Sequence, residues 1–294
     1  MSASSVETAA RLTGSNISRL IRLPNQTGTW LLMLPTLWAL VLSSNGTPPW
    51  HLVIIFMLGS FVMRSAGVIL NDLADRSFDR HVARTQQRPL ASGELSPTHA
   101  FVVLAVLLTV ALLLVAQLNA LTIMLSPVAL VLAAVYPFAK RVIHLPQAVL
   151  GVAFGWGTIM AWTASRGRID TAAWLTFAAT VCWAIAYDTI YALQDLDDDR
   201  RIGVKSSALY FGSSTWLAVA VACALMLFLL GISAGTVGIG GIAYGVLAAV
   251  GIWFAKQADE LRRPVSPARA FELFHQHAWI GTAILFGLVL GFWW

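Results

Sequence analysis

The sequence predicts an all-α membrane protein with nine transmembrane helices, arranged as two pseudo-repeated four-helix halves around a central cavity. Three observations carry this expectation. The mean hydropathy is +0.74 and only 11% of residues are charged, whereas soluble domains carry about a quarter charged residues. Apolar windows of about 20 residues, the length that crosses a bilayer, recur along the whole chain between polar breaks. Two acidic runs interrupt those windows at matching places, 120 residues apart.

The elements follow in order. Residues 1–27 are polar and lead into the first window without a small-residue cleavage pattern, so they read as a cytoplasmic N-terminal segment ahead of a retained helix. Residues 28–294 read as a single polytopic membrane domain. Its windows run over roughly 28–45, 51–71, 98–117, 119–139, 145–165, 171–194, 208–230, 236–255 and 276–294. Arg11, Arg19 and Arg22 precede the first window; Arg76, Arg80, Arg84 and Arg88 separate the second from the third. Lys140 and Arg141 follow the fourth, Arg200, Arg201 and Lys205 the sixth, and Lys256, Arg262, Arg263 and Arg269 the eighth. Sixteen of the nineteen Lys and Arg therefore fall on one side, with Arg166 and Arg168 opposite and Arg64 inside a span. Cationic loops stay cytoplasmic. The N-terminus is then inside, the C-terminus outside, and both acidic runs face the cytoplasm of a bacterial inner membrane. The net charge of +5 reports this topology and contact with anionic headgroups, not nucleic acid.

Other features read as structural. Cys182 and Cys223 lie singly in apolar runs, as packing residues do. The twelve Trp, including Trp50, Trp293 and Trp294 near span ends, suit interfacial belts better than a ligand cage. His275 and His277, two apart on a helix, point to different faces. The run from Gly235 to Gly241 has no strand before it and reads as small-residue helix packing within an apolar helix.

The acidic runs are different. Asn71-Asp72-Leu73-Ala74-Asp75-Arg76-Ser77-Phe78-Asp79 and Asp195-Leu196-Asp197-Asp198-Asp199 hold seven of the fourteen carboxylates. Residues four apart share a helix face, so Asn71, Asp75 and Asp79 form one stripe and Tyr191, Asp195 and Asp199 another. Asp188 lies near the second line; Asp72 and Asp198 sit about one position off, as outer partners. Four or more carboxylates facing one pocket repel one another unless a cation shares it. Oxygen-only ligands select hard cations, and Mg²⁺ combines one or two carboxylates with phosphate oxygens. Arg76, Arg80, Lys140, Arg141, Arg200, Arg201 and Lys205 ring the acid, an arrangement suited to binding and ionising a diphosphate. Arg64 lies seven residues before Asn71, about 10 Å deeper on the same face. An ionisable residue inside a span is by default functional, so Arg64 is a candidate for a substrate carboxylate or for a structural salt bridge to Asp188. Tyr136 and Lys140, again four apart, can together touch a phosphate or a phenol.

These motifs resemble the UbiA superfamily of intramembrane aromatic prenyltransferases. The stretches over 34–40, 67–93, 136–156 and 185–212 are similar in particular to the branch that prenylates 4-hydroxybenzoate, and the similarity covers most of residues 18–215. It departs at Pro24, Asn25 and Gln26, where many members of that branch have an acidic and a basic residue. The resemblance implies two Mg²⁺ ions, one on Asn71 and Asp75 and one on Asp195 and Asp199, with Asp72 and Asp79 supporting. It implies that Lys140, Arg141 and Lys205 contact diphosphate and that Arg64 faces the aromatic acceptor; Arg76 from the cationic ring and Tyr136 beside Lys140 are further diphosphate candidates from their positions. The expected reaction moves a long polyprenyl group from its diphosphate to the 3-position of 4-hydroxybenzoate, in ubiquinone or plastoquinone biosynthesis, with Asp75, Asp195, Asp72 and Asp188 as the catalytic carboxylates. The expected partners are polyprenyl diphosphate, 4-hydroxybenzoate and the lipid bilayer, with no nucleic acid and no obligate protein partner. Alternatives are another aromatic acceptor (homogentisate, naphthoate or haem) and a secondary transporter, suggested by Leu73-Ala74-Asp75-Arg76 and the internal repeat.

Overall fold

Polar caps and prolines set where the apolar windows become helices. A computed structural model of the chain describes residues 12–82, 84–203 and 205–293, without the side chains of Lys140 and Ile202. The principal helices are α1 (Thr27–Ser43), α2 (Trp50–Ala74), α3 (Pro97–Val115), α4 (Ala120–Val142), α5 (Pro146–Arg166), α6 (Thr171–Ala192), α7 (Thr215–Thr236), α8 (Gly241–Glu260) and α9 (Pro267–Gly291). The side chains of Ser96, Asn119, Asp170 and Ser266 cap α3, α4, α6 and α9 by accepting from the backbone N–H three residues on, which satisfies donors that would otherwise be orphaned. Eight of these segments are long and apolar enough to cross a membrane; α1 has 17 residues and is shorter.

Three boundaries differ from the expected windows. Ser207–Phe211 is a separate short helix before α7, although its apolar residues continue the hydropathy of the next span. The helix α9 starts at Pro267 because Ser266 caps it there, ahead of the purely apolar stretch. The glycine-rich run is not within one helix: it ends α7, makes the α7–α8 connection and starts α8, with Gly238 in the left-handed region at φ 76° and the Gly240 N–H bonded to the Gly291 carbonyl at 2.7 Å.

The core lies among α1, α5, α6, α7 and α9. Trp38, Trp162 and Trp183 are fully buried there, a correction to the reading of tryptophan as mainly interfacial; Trp50 and Trp293 are exposed at helix ends as expected, and Trp294 falls outside the described residues. Trp38 and Trp183 pack at 4.9 Å between ring centroids, and Trp38 Nε1 donates to the Gly281 carbonyl at 3.0 Å. A Cβ on Gly281 would stand 2.6 Å from the Trp183 ring, so glycine is what lets α9 close on this pair. Interhelical hydroxyl bonds such as Thr176 with Ser233 at 2.8 Å and Thr122 with Thr163 at 2.9 Å tie helices where apolar contact alone discriminates little against lipid. Neither cysteine is in a disulfide: Cys223 is buried and Cys182 partly so.

Among consecutive helices, α3 and α4 are the least closely packed. Both face mostly outward, and a slot separates them that leads to the site. At the opposite, motif-bearing end, Gly14–Leu20 docks on the loop after α2: Leu20 is fully buried with Ile69, Leu90 and Leu95, and Arg19 pairs with Glu94.

Candidate active site

Both acidic motifs break their helices at the same place. The helix α2 ends at Ala74 and a short helix spans Arg76–Asp79, with Asp75 at the joint (φ −96°, ψ 2°). The helix α6 ends at Ala192 and passes through a 3-10 turn, Leu193–Asp195, into Leu196–Ile202, with Asp195 at the joint (φ −107°, ψ 12°). Asp75 and Asp195 are the positions that correspond in sequence between the two motifs, 120 residues apart. The expected continuous i, i+4 stripe is therefore bent in each half, at its central aspartate.

One cavity of about 690 Å³ joins the two motifs and reaches from the motif-bearing loops toward the core. That volume is within the range of small-molecule sites. Asn71, Asp72, Asp79, Asp188, Tyr191, Asp195 and Asp199 line it, with Arg64, Tyr136, Arg141 and Lys205. Asp75 is 1% exposed and lies just behind this wall. Arg76 is turned away, its Nε donating to the Leu90 carbonyl at 3.0 Å, and Arg80 does the same to Ala91 at 3.1 Å. The Lys140 side chain lies outside the described residues. Leu108, Ala111, Leu112 and Val115 of α3 face Leu130 and Ala133 of α4 along the apolar end of the cavity.

Arginines hold the acids. Arg22 Nη2 donates to both carboxylate oxygens of Asp72, at 2.8 and 2.9 Å. Arg88 bridges Asp72 at 3.1 Å and Asp79 at 2.8 Å. Arg84 donates from Nε to Asp195 at 2.8 Å, from Nη2 to the same carboxylate, and from Nη1 to the Tyr191 hydroxyl at 2.9 Å. Arg141 stands 3.7 Å from Asp75 and donates to the Ala74 carbonyl at 2.7 Å, while Lys205 donates to the Val142 carbonyl at 2.8 Å. Burial pulls the Arg22 pKa below its ordinary value, against the pull of Asp72. Burial pulls Arg84 the same way, but the hydrogen bonds to Asp195 together with the electrostatic pull of Tyr191, Asp195 and Asp79 outweigh it and raise its pKa; both guanidinium groups stay charged. Arg22 holds φ at 58°, a strained value for a side-chain-bearing residue, which turns it from the docked N-terminal helix toward Asp72.

In the sequence, Arg22, Arg84 and Arg88 read only as loop charge. Phe271 and Phe274 of α9, which close the wall beside Tyr187 and Tyr191, carry no signal there either. Any arginine in a cytoplasmic loop satisfies topology, and the resemblance fades before α9. Deeper in, Arg64 lies against Gly28, where a Cβ would come within 2.5 Å of its Nε. Arg64 and Asp188 both line the cavity. Tyr136, Tyr187, Asp188 and Arg64 lie within electrostatic reach of one another. His275 bonds Thr27 of α1 at 2.8 Å and His277 bonds Trp183 at 2.9 Å, on separate faces.

No set of three or more acidic, histidine or cysteine side chains converges as a ready metal cage among the described residues. The donor set nonetheless fits a hard divalent cation. It is oxygen-only, it is divided between two helix breaks across one cavity, and Mg²⁺ needs only one or two carboxylates when phosphate oxygens complete its shell.

The chain matches the model of the UbiA prenyltransferase family over residues 32–292. It is 46% identical over 274 residues to the 4-hydroxybenzoate octaprenyltransferase of Thiobacillus denitrificans, covering 93% of each chain. With the enzyme of that name from Chromohalobacter salexigens the identity is 45%, over 94% of this chain and 92% of the relative. Among solved structures, the apo structure of a UbiA homologue from Aeropyrum pernix K1 superposes with a TM-score of 0.76 at 26% identity, over 89% of this chain and 97% of that one. A UbiA homologue from Archaeoglobus fulgidus bound to GPP and Mg²⁺ shares the fold, with a TM-score of 0.68 at 16% identity, over 94% and 99%.

Proposed function

The chain belongs to the UbiA prenyltransferase family, and from that premise we propose that it transfers a long polyprenyl group from its diphosphate to the 3-position of 4-hydroxybenzoate, a step of ubiquinone or plastoquinone biosynthesis. The observation that carries this reading is the single cavity that holds both acidic breaks at its polar mouth, Arg64 at its depth and an apolar slot at its side. The names of the relatives add the acceptor, and the GPP and Mg²⁺ of the Archaeoglobus homologue add the donor chemistry.

Asn71, Asp75 and Asp79 would hold one Mg²⁺, and Asp195 and Asp199 a second. When bound, Mg²⁺ supplies the positive charge that stabilises a departing diphosphate. Arg141, Lys205 and Lys140 bind the phosphates from the α4 and α6 ends, and Tyr136 adds a hydroxyl. Ligand entry at Asp195 requires Arg84 to let go, which frees that guanidinium for the diphosphate as well. The donor tail lies along Leu108, Ala111, Leu112, Leu130 and Ala133 and leaves through the slot between α3 and α4. The acceptor carboxylate faces Arg64, so its ring carbon beside the hydroxyl meets the allylic carbon. As the C–O bond breaks, that ring carbon bonds the allylic cation and then loses its proton. Asp188, Asp72 or the departing diphosphate takes that proton; Asp72 already accepts from Arg22 and Arg88. The apolar wall and the aromatic closure by Phe271 and Phe274 keep water from the cation. The even-numbered helices end on the motif face, which we assign to the cytoplasm of the bacterial inner membrane from the charge of its loops.

The test is prenylation of labelled 4-hydroxybenzoate by a polyprenyl diphosphate in proteoliposomes, with Mg²⁺ and then with EDTA. The expected result is a 3-prenylated product that EDTA abolishes. Product from homogentisate or a naphthoate but none from 4-hydroxybenzoate, with folded protein, would move the acceptor; no reaction with any prenyl diphosphate would end the assignment.

A further inference from the structure

Tyr187 is a group the chemistry above does not use. It is 2% exposed, lies one helical turn before Tyr191 on α6, and lines the cavity. Three rings fix its own: Trp183 edge-on at 5.3 Å, Phe274 at 6.1 Å and His277 at 5.9 Å between centroids. Its hydroxyl nevertheless has no hydrogen-bond partner among the described residues. Its neighbours show that this is not a general looseness. His277 Nδ1 accepts from Trp183 Nε1 at 2.9 Å, its Nε2 bonds Gln257 Oε1 at 3.1 Å, and Gln257 Nε2 donates to the Leu273 carbonyl at 3.1 Å. The polar chain behind Tyr187 is thus satisfied link by link, and phenylalanine would serve the packing at position 187 without stranding a hydroxyl. The side chain instead lines the cavity with Asp188, Arg64 and Tyr136, all within electrostatic reach of it; the Arg64 guanidinium is seated against Gly28.

We propose that Tyr187 is a further acceptor-binding residue: its O–H donates to the carboxylate of the aromatic acid, on which Arg64 supplies the charge. The two recognise that group in different ways. Arg64 provides attraction, and Tyr187 provides a directional donor on a ring that cannot rotate away, so together they orient the acceptor toward the donor carbon. The inference rests on the reading of the site as a hydroxybenzoate prenyltransferase.

The experiment is steady-state kinetics of wild type and Tyr187→Phe in proteoliposomes, with 4-hydroxybenzoate and, separately, 4-hydroxybenzaldehyde as acceptor, alongside the melting temperature of each protein in detergent. The expected result is a KM for 4-hydroxybenzoate raised roughly tenfold or more, the scale of a hydrogen bond to a charged group. The donor KM stays put, kcat changes little, and the melting temperature is unchanged or higher. With the aldehyde, which lacks the carboxylate, wild type and variant converge. An unchanged KM for 4-hydroxybenzoate overturns the proposal, and so does an equal penalty on both acceptors or a fall in melting temperature that accompanies the loss. Wild type that fails to prenylate 4-hydroxybenzoate at all refutes the reading beneath it instead, and direct binding of 4-hydroxybenzoate to the two proteins by calorimetry then decides Tyr187 separately.

Discussion

Asp72 is 1% exposed yet takes hydrogen bonds from two guanidinium groups, and this fixes what each arginine is worth. A buried carboxylate stripped of its partner costs about 3–5 kcal/mol, so the loss depends on what remains. Arg22→Ala leaves Asp72 with Arg88. Arg88→Ala takes a partner from Asp72 and one from Asp79 together. The expected order of melting temperatures in detergent is wild type, then Arg22→Ala, then Arg88→Ala, with Arg88→Ala paired with Asp79→Asn recovering part of its loss. A reversed order would mean that the Arg22 contact, with its left-handed backbone, is the one that anchors the loop. At this scale the sequence was half legible. The acids stood out because carboxylates are scarce in a greasy chain, and Arg64 because a charge inside a span is costly. Arg22, Arg84 and Arg88 did not, because a loop arginine already has a sufficient reason to exist in membrane orientation.

At the scale of elements, the hydropathy windows located the helices and missed the breaks. An apolar run of about 20 residues has one outcome in a bilayer, whereas the residues around Asp75 and Asp195 keep the i, i+4 pattern of an unbroken helix. What bends them there is tertiary: the loop arginines that pull the aspartates sideways are 9 to 111 residues away in the chain. The α3–α4 slot was equally hidden, since two apolar helices read the same whether or not they touch. It makes a prediction that hydropathy could not. If the donor tail leaves between these helices, Ala133→Trp should cut kcat/KM for a long polyprenyl diphosphate about tenfold or more while sparing geranyl diphosphate, whose short tail ends inside the cavity. Product formation from the two donors, assayed with 4-hydroxybenzoate in excess, reads this directly. Equal losses on both donors would place the tail elsewhere.

At the scale of the whole molecule, the two motif helices α2 and α6 make almost no direct contact. The acidic halves meet through Arg84, which runs from the loop after α2 to Asp195 at the end of α6. A cation held between Asn71, Asp75 and Asp79 on one side and Asp195 and Asp199 on the other, with a diphosphate across it, would therefore add a direct link between halves that Arg84 bridges from one motif loop to the other. Ligands that bind only the folded protein stabilise it by mass action, by about 2.7 kcal/mol at a hundred times the dissociation constant. For a chain of this size that corresponds to a melting shift of about 5 °C or more. The expected series in detergent is a small rise with Mg²⁺ alone and a larger one with Mg²⁺ and an unreactive thio analogue of a prenyl diphosphate, both reversed by EDTA. Asp75→Asn and Asp195→Asn should each lose most of the combined shift, since a bridge fails when either end is removed; they should also nearly abolish turnover. If instead each variant lost only about half, the halves would bind their ligands independently. If Mg²⁺ with the analogue left the melting temperature unmoved while prenylation persisted in EDTA, the acidic breaks would be holding arginines and nothing else.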